Sequence, residues 1–278
     1  MLRTSALCLA FTLALPLAAQ AQADAIRWSA HPAERERVQL SLTSAGHRNN
    51  QDWNPAELQG LDARFGDGAL EFRIVRDAGA LACSGIGSNG RGEGTCRFQR
   101  NAAYFDALAR HGVRVAGDFQ AWQLAHFDVK LTLLEEMRRQ NYARPTASDL
   151  VAAGIFTIDA EFVRALGDAG FRPQKLDDLV QLRIHQITPD YIRAIRAAAP
   201  RLRLTSADLV QFRIHKVTPE WISGWTKLGY DLSVHDLANT RIHGVSPDYA
   251  RAMMVEVRDR PTLDQLLAMR LHGVRPGR

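Results

Sequence analysis

Internal repetition constrains this chain more than any other feature. Four stretches align by eye: Leu182-Arg183-Ile184-His185-Gln186-Ile187-Thr188-Pro189-Asp190, Phe212-Arg213-Ile214-His215-Lys216-Val217-Thr218-Pro219-Glu220, Thr240-Arg241-Ile242-His243-Gly244-Val245-Ser246-Pro247-Asp248 and Met269-Arg270-Leu271-His272-Gly273-Val274-Arg275-Pro276-Gly277. Their histidines are 30, 28 and 29 residues apart. Stepping back by the same period reaches Phe156 and then Phe127 in more degraded copies. Residues 118–278 therefore read as five units and a terminal half unit, and a fixed period of this length means stacked supersecondary units.

Each unit encodes two helices. The first opens on a capping box or a close variant, in which a hydroxyl and a side chain three residues on satisfy each other's free amides. Thr146/Asp149, Thr205/Asp208, Ser233/Asp236 and Thr262/Gln265 show it, and Lys175 breaks it. The second opens on Thr188-Pro189-Asp190 or its equivalents: the hydroxyl caps, proline takes the first helical position, and the acid complements the positive helix end. Tyr142, Phe171 and Tyr230 close units before the next begins. Helix pairs this short cannot bury an apolar face alone, so neighbouring pairs are expected to stack into a solenoid.

The N-terminus reads as an address. Met1-Leu2-Arg3 precedes an apolar run over Leu7–Leu17, and Ala19-Gln20-Ala21 and Ala21-Gln22-Ala23 are small-x-small cleavage patterns. This is the pattern of a bacterial secretory signal peptide over residues 1–23. The run is too short for a spanning helix, which needs about 20 apolar residues. The implied location is periplasmic or extracellular, with no transmembrane segment after cleavage. Cleavage removes Arg3 and Cys8 and leaves Cys83 and Cys96.

In an oxidising compartment an even cysteine count suggests a pair. Asn89-Gly90 is a strong hairpin signal, because both turn residues need positive φ. With that turn, residues whose numbers sum to 179 face each other, and 83 and 96 satisfy the condition. A Cys83–Cys96 disulfide is therefore expected, with Gly85 opposite Gly94 and Gly87 opposite Gly92. One hairpin face is then bare, which marks close approach of a ring, a backbone or a ligand. Gly85-Ile86-Gly87-Ser88-Asn89-Gly90 also matches a dinucleotide fingerprint, but a second strand follows it instead of a helix. Arg37–Leu42 and Leu70–Ile74 alternate like strands. The expected fold class is α+β: a small antiparallel β domain over 24–101, a linker helix over 102–117, and helical repeats over 118–278.

The Arg-Ile-His-Gly-Val-Ser/Thr-Pro-Asp/Glu units resemble repeats in the extracytoplasmic tails of bacterial antirepressor metallopeptidases of the beta-lactam-sensor type. They also resemble exported proteins that carry such repeats behind a glycine-rich β domain. The resemblance implies this architecture over most of residues 35–278. It brings no catalytic residue, since the peptidase's His-Glu-x-x-His motif is missing here.

No catalytic motif stands out. The recurring His185, His215, His243 and His272 invite a metal reading, but Zn–N bonds of about 2.0–2.1 Å cannot bridge helices roughly 8–10 Å apart. Their expected role is structural, with each imidazole capping carbonyls at the end of its helix. No metal or other cofactor is expected. Glu135-Glu136 and Asp177-Asp178 read as solvated helix faces. The arginines Arg183, Arg213, Arg241 and Arg270 form a ladder with two readings. One is a set of salt bridges to Asp190, Glu220 and Asp248; the other is a basic stripe recognising carboxylates or phosphates. The net charge of +5 for the full sequence falls to +4 once Arg3 is cleaved off; on an exported chain this is weak evidence for nucleic-acid binding, so no nucleic-acid partner is expected. The functional expectation is an exported, non-catalytic repeat protein binding a peptide, a protein (such as a membrane-bound regulator) or an acidic envelope component, in a regulatory or sensory role. The alternatives are an envelope-directed hydrolase and a structural or small-ligand module built on the glycine-bare face.

Overall fold

The computed structural model describes residues 26–277; the leader and Cys8 lie outside them. The chain divides into two compact units, one ending at Arg100 and the other starting at Asn101.

The first unit is a six-stranded antiparallel sheet: β1 Ile26–Pro32, β2 Val38–Ser44, β3 His47–Trp53, β4 Gly68–Arg76, β5 Gly79–Ser88 and β6 Arg91–Arg100. The strand order is β3-β2-β1-β6-β5-β4, so two three-stranded meanders join through β1 and β6. Strict alternation puts Ile26, Trp28 and Ala30 of β1, Val38, Leu40 and Leu42 of β2, and Leu70, Phe72 and Ile74 of β4 on the buried face. The β5–β6 register follows the turn: Ser88 faces Arg91, Gly87 faces Gly92, Gly85 faces Gly94 and Cys83 faces Cys96. Asn89 and Gly90 both have positive φ, at 52° and 73°. The two cysteines are bonded, with Cα atoms 3.9 Å apart.

The glycine-bare face is occupied by the protein itself. A Cβ at Gly85 would overlap the Glu93 carbonyl and lie 2.7 Å from the Trp28 ring. A Cβ at Gly92 would lie 2.8–2.9 Å from Leu70, Phe65 and Trp28. Trp28 lies over the glycines, donates from Nε1 to the Ser84 carbonyl at 3.1 Å and meets Phe72 edge-on. Gly85 and Gly92 thus make room for the Trp28 ring.

The second unit is helical. Helix α1 is Ala102–Arg110. The first helices of the repeats are α2 Gly117–His126, α4 Ala147–Ile155, α6 Leu176–Ile184, α8 Ser206–Ile214, α10 Val234–Ile242 and α12 Leu263–Leu271. The second helices are α3 Leu131–Arg139, α5 Ala160–Asp168, α7 Pro189–Ala198, α9 Pro219–Lys227 and α11 Pro247–Val257. Each first helix from α2 to α8 packs on the next first helix, and each second helix from α3 to α9 on the next second helix, making two rows. The four capping boxes form as the spacing requires, and Lys175 makes no side-chain cap. Thr188, Thr218 and Ser246 cap α7, α9 and α11 with proline in the first turn.

Helix α1 behaves as a second helix. The Tyr104 hydroxyl donates to the Val129 carbonyl at 2.8 Å, just as Tyr191 reaches Val217 and Tyr249 reaches Val274, each at 3.1 Å. The stacking pattern therefore begins at Tyr104, inside the segment read as a linker. No helix of the described residues is long and apolar enough to cross a membrane.

Candidate binding ladder on the helical unit

The Arg-Ile-His triplets lie at the C-terminal ends of α6, α8, α10 and α12. In each, histidine is the C-cap residue and its backbone N–H donates to the carbonyl four residues back. The next residue turns left-handed: Gln186 at φ 53°, Lys216 at 57°, Gly244 at 64° and Gly273 at 73°. A reversal there re-aims the chain, and the following Ile187, Val217 or Val245 is buried. Among the described residues, the rings of these four histidines make no hydrogen bond to a helix carbonyl. The expected imidazole cap is replaced by the backbone amide of the same residue. No group of three His, Cys, Asp or Glu among the described residues could share a metal ion.

The arginines do not pair with the acids proposed for them. Asp190 pairs instead with Arg193 and Asp248 with Arg251, each within its own helix. The ladder arginines reach back one unit and lie over an aromatic ring. The guanidinium carbon of Arg183 is 3.8 Å from the centroid of Phe162, that of Arg213 is 4.9 Å from Tyr191, that of Arg241 is 3.7 Å from Trp221, and that of Arg270 is 5.3 Å from Tyr249. These rings hold the third helical position of the preceding second helix. The reason is geometric: a planar guanidinium can stack on a ring face and still donate in its own plane.

That in-plane donation ends on carbonyls. Arg183 Nη2 donates to Thr157 O at 2.8 Å and Arg213 Nη2 to Gln186 O at 3.2 Å, in both cases the left-handed residue of the previous unit. The rings carry the tie onward. Besides the Tyr191 and Tyr249 hydroxyl bonds, Trp221 Nε1 donates to Thr240 Oγ1 at 3.0 Å. Burial lowers the pKa of Arg183 and of Arg241 from the ordinary arginine value, yet a guanidinium stays charged under these conditions. A cation on a ring contributes about 0.5–1 kcal/mol when exposed and about 2 when desolvated. The ladder thus fastens one unit to the next, while Arg213 and Arg270 remain exposed at their outer edges.

Beside each arginine lies a side chain that the motif reading does not single out. Ile184, Ile214, Ile242 and Leu271 follow the four arginines and are 48–68% exposed; Ile155, which follows Gly154, holds the equivalent position one unit earlier and is 50% exposed, whereas α2 has buried His126 there. Single exposed aliphatic residues need no explanation, but a contiguous apolar patch marks an interaction surface. Their equivalent placement sets these five along the row of first helices, whose neighbours pack roughly 8–10 Å apart, the last four next to the ladder arginines and His185, His215, His243 and His272. The signal is present in the repeated Arg-Ile-His triplet, where the aliphatic residue recurs as regularly as its charged neighbours.

One buried acid corrects the reading of Glu135-Glu136. Glu135 is exposed, whereas Glu136 is 5% exposed. It accepts from Arg139 at 2.6 Å and from Gln140 at 2.6 Å, with Arg164 at 3.5 Å. Gln140 passes the connection to the Val163 carbonyl. Desolvation pushes the Glu136 pKa up, but the bonds from Arg139 and Gln140 and the charges of Arg139 and Arg164 outweigh it and hold the carboxyl below its usual value. The group is a structural tie between α3 and α5.

The chain matches no protein-family model and no curated protein.

Proposed function

We propose that this is an exported, non-catalytic binding protein whose helical unit holds an extended peptide segment, rich in carboxylates and aliphatic side chains, along the Arg-Ile-His ladder. The carrying observation is the exposed aliphatic residue beside a cation in four successive units, Ile184, Ile214, Ile242 and Leu271. Equivalent positions in successive units offer similar small contacts, the arrangement by which repeat proteins bind extended partners. Charge supports an acidic partner: residues 201–278 carry 12 Lys and Arg against 8 Asp and Glu. Export is supported by the leader pattern and by the Cys83–Cys96 bond, since such bonds persist in oxidising compartments.

The test is selection of random displayed dodecapeptides on the chain from Asp24 onward. Enriched peptides are expected to combine Asp or Glu with Leu, Ile or Val, and to lose at least tenfold in affinity against I214D/I242D. Enrichment of basic peptides, or equal binding by the variant, overturns the proposal.

A further inference from the structure

The open face of the β unit carries a basin of about 790 Å³. Arg27 and Ser29 of β1 line it from this face, while Trp28 between them is buried on the other. Strand register explains its make-up. Arg48, Thr43, Arg27, Thr95, Ser84 and Glu71 face one another strand by strand and form one row across the sheet, from β3 to β4. Ser29, Glu93 and Ile86 belong to the next row, two residues along. Residues so paired share a face. The short hydroxyl side chains of Ser29, Thr43, Ser84 and Thr95 make the floor, between longer charged ones.

Charge is divided along the line where the two meanders join. The cations lining the basin, Arg27 and Arg48, belong to β1 and β3, and the anions, Glu71 and Glu93, to β4 and β6. Arg27 is diagonal to Glu93 across the β1–β6 pair, a separation that long side chains can close. Yet none of the four makes an ion pair or a side-chain hydrogen bond among the described residues. Elsewhere in the unit Arg76 pairs with Glu57 at 2.7 Å and Arg73 donates to Gln99 at 3.5 Å. All four basin charges are exposed, so a ligand arriving from solvent can reach them.

A hollow with cations at one side and anions at the other is complementary to a ligand that carries both charges. Arg27 and Glu71 are three strand spacings apart, about 14 Å between backbones. An extended tripeptide puts its terminal charges about 10 Å apart, and the arginine and glutamate side chains are long enough to cover the remainder. Ile86, 66% exposed, offers apolar contact to a small side chain. We infer that the basin binds a short zwitterionic peptide. Its carboxylate accepts from Arg27 and Arg48, the pairing for which a guanidinium fork is shaped, and its ammonium donates to Glu71 and Glu93. The site is separate from the Arg-Ile-His ladder and does not depend on it.

The probe is trialanine, compared with N-acetyl-trialanine and trialanine amide, each of which lacks one terminal charge. Binding to the chain from Asp24 onward is measured by calorimetric titration at low ionic strength, where exposed charges are least screened. Trialanine is expected to bind about tenfold more tightly than either blocked form, the scale of one hydrogen bond to a charged group. R27Q/R48Q is expected to remove the preference over the amide and keep the preference over the acetyl form. E71Q/E93Q is expected to do the reverse. I214D/I242D is expected to bind trialanine as the unaltered chain does. No binding at millimolar concentration, equal binding of the three peptides, preferences unchanged in both basin variants, or loss of binding in I214D/I242D overturns the inference. Should a basin variant fail to fold, the three peptides on the unaltered chain decide.

Discussion

The β unit and the helical unit are held together in opposite ways. In the sheet, each device occurs once: one disulfide, one Asn-Gly turn, and one tryptophan for which Gly85 and Gly92 leave room. In the helices, each device recurs: a hydroxyl cap, a left-handed exit, an arginine on a ring. A sheet built from single-use parts concentrates its stability, while a repeated array distributes it and can present the same surface feature many times. Under the proposed function, it is this repetition in the helical unit that would meet an extended partner.

The largest effect should come from the sheet. Replacing Cys83 and Cys96 by serine opens the crosslink and should cost on the order of 3 kcal/mol in the chain-entropy model. Segment-resolved hydrogen exchange should place the loss in residues 26–100 and leave 101–277 protected. Loss of protection spread evenly over both units would break the contrast.

Next comes the buried acid between α3 and α5. Glu136→Gln removes a charge held by Arg139 and Arg164 and should cost about 2 kcal/mol, within the range for a buried charged hydrogen bond. The native pKa of Glu136 is lowered, so its contribution is complete above the unfolded carboxylate value of about 4.3. It is lost as pH falls through the native pKa. Denaturant titrations should show a smaller gap between the two proteins at pH 3 than at pH 7.

Smaller still is one rung of the ladder. Arg241→Lys keeps the charge but gives up the planar stack on Trp221 and should cost about 1 kcal/mol, with exchange rising in α9 and α10. Thr205→Ala removes one cap of a series and should cost about 1 kcal/mol, confined to the start of α8. An effect on either that equals the cysteine variant would contradict a distributed array.

Much of this contrast can be read from the residues, and the parts that cannot have physical causes. The hairpin register follows from Asn89-Gly90 because turn geometry is local. The caps follow from Thr205/Asp208 and its equivalents because capping acts over three residues. Strand β3 is not visible in the sequence: His47-Arg48-Asn49-Asn50-Gln51-Asp52 is polar throughout, as an edge strand can be when neither face is buried. The arginines' partners escape a local reading because the nearest acids in sequence, Asp190 and Asp248, are used within their own helices. The actual partners, rings and carbonyls one unit back, depend on stacking. Glu136 reads as solvated because burial by the next helix pair has no local signature.

The most direct measurement compares two changes on the same face. I214D/I242D alters exposed side chains, so the thermal midpoint should stay within a few degrees of wild type, as for surface substitutions of about 0.5 kcal/mol. Affinity for a selected acidic-aliphatic peptide should fall at least tenfold. An unchanged affinity alongside an unchanged midpoint would show that the aliphatic ladder is not where the helical unit meets its partner.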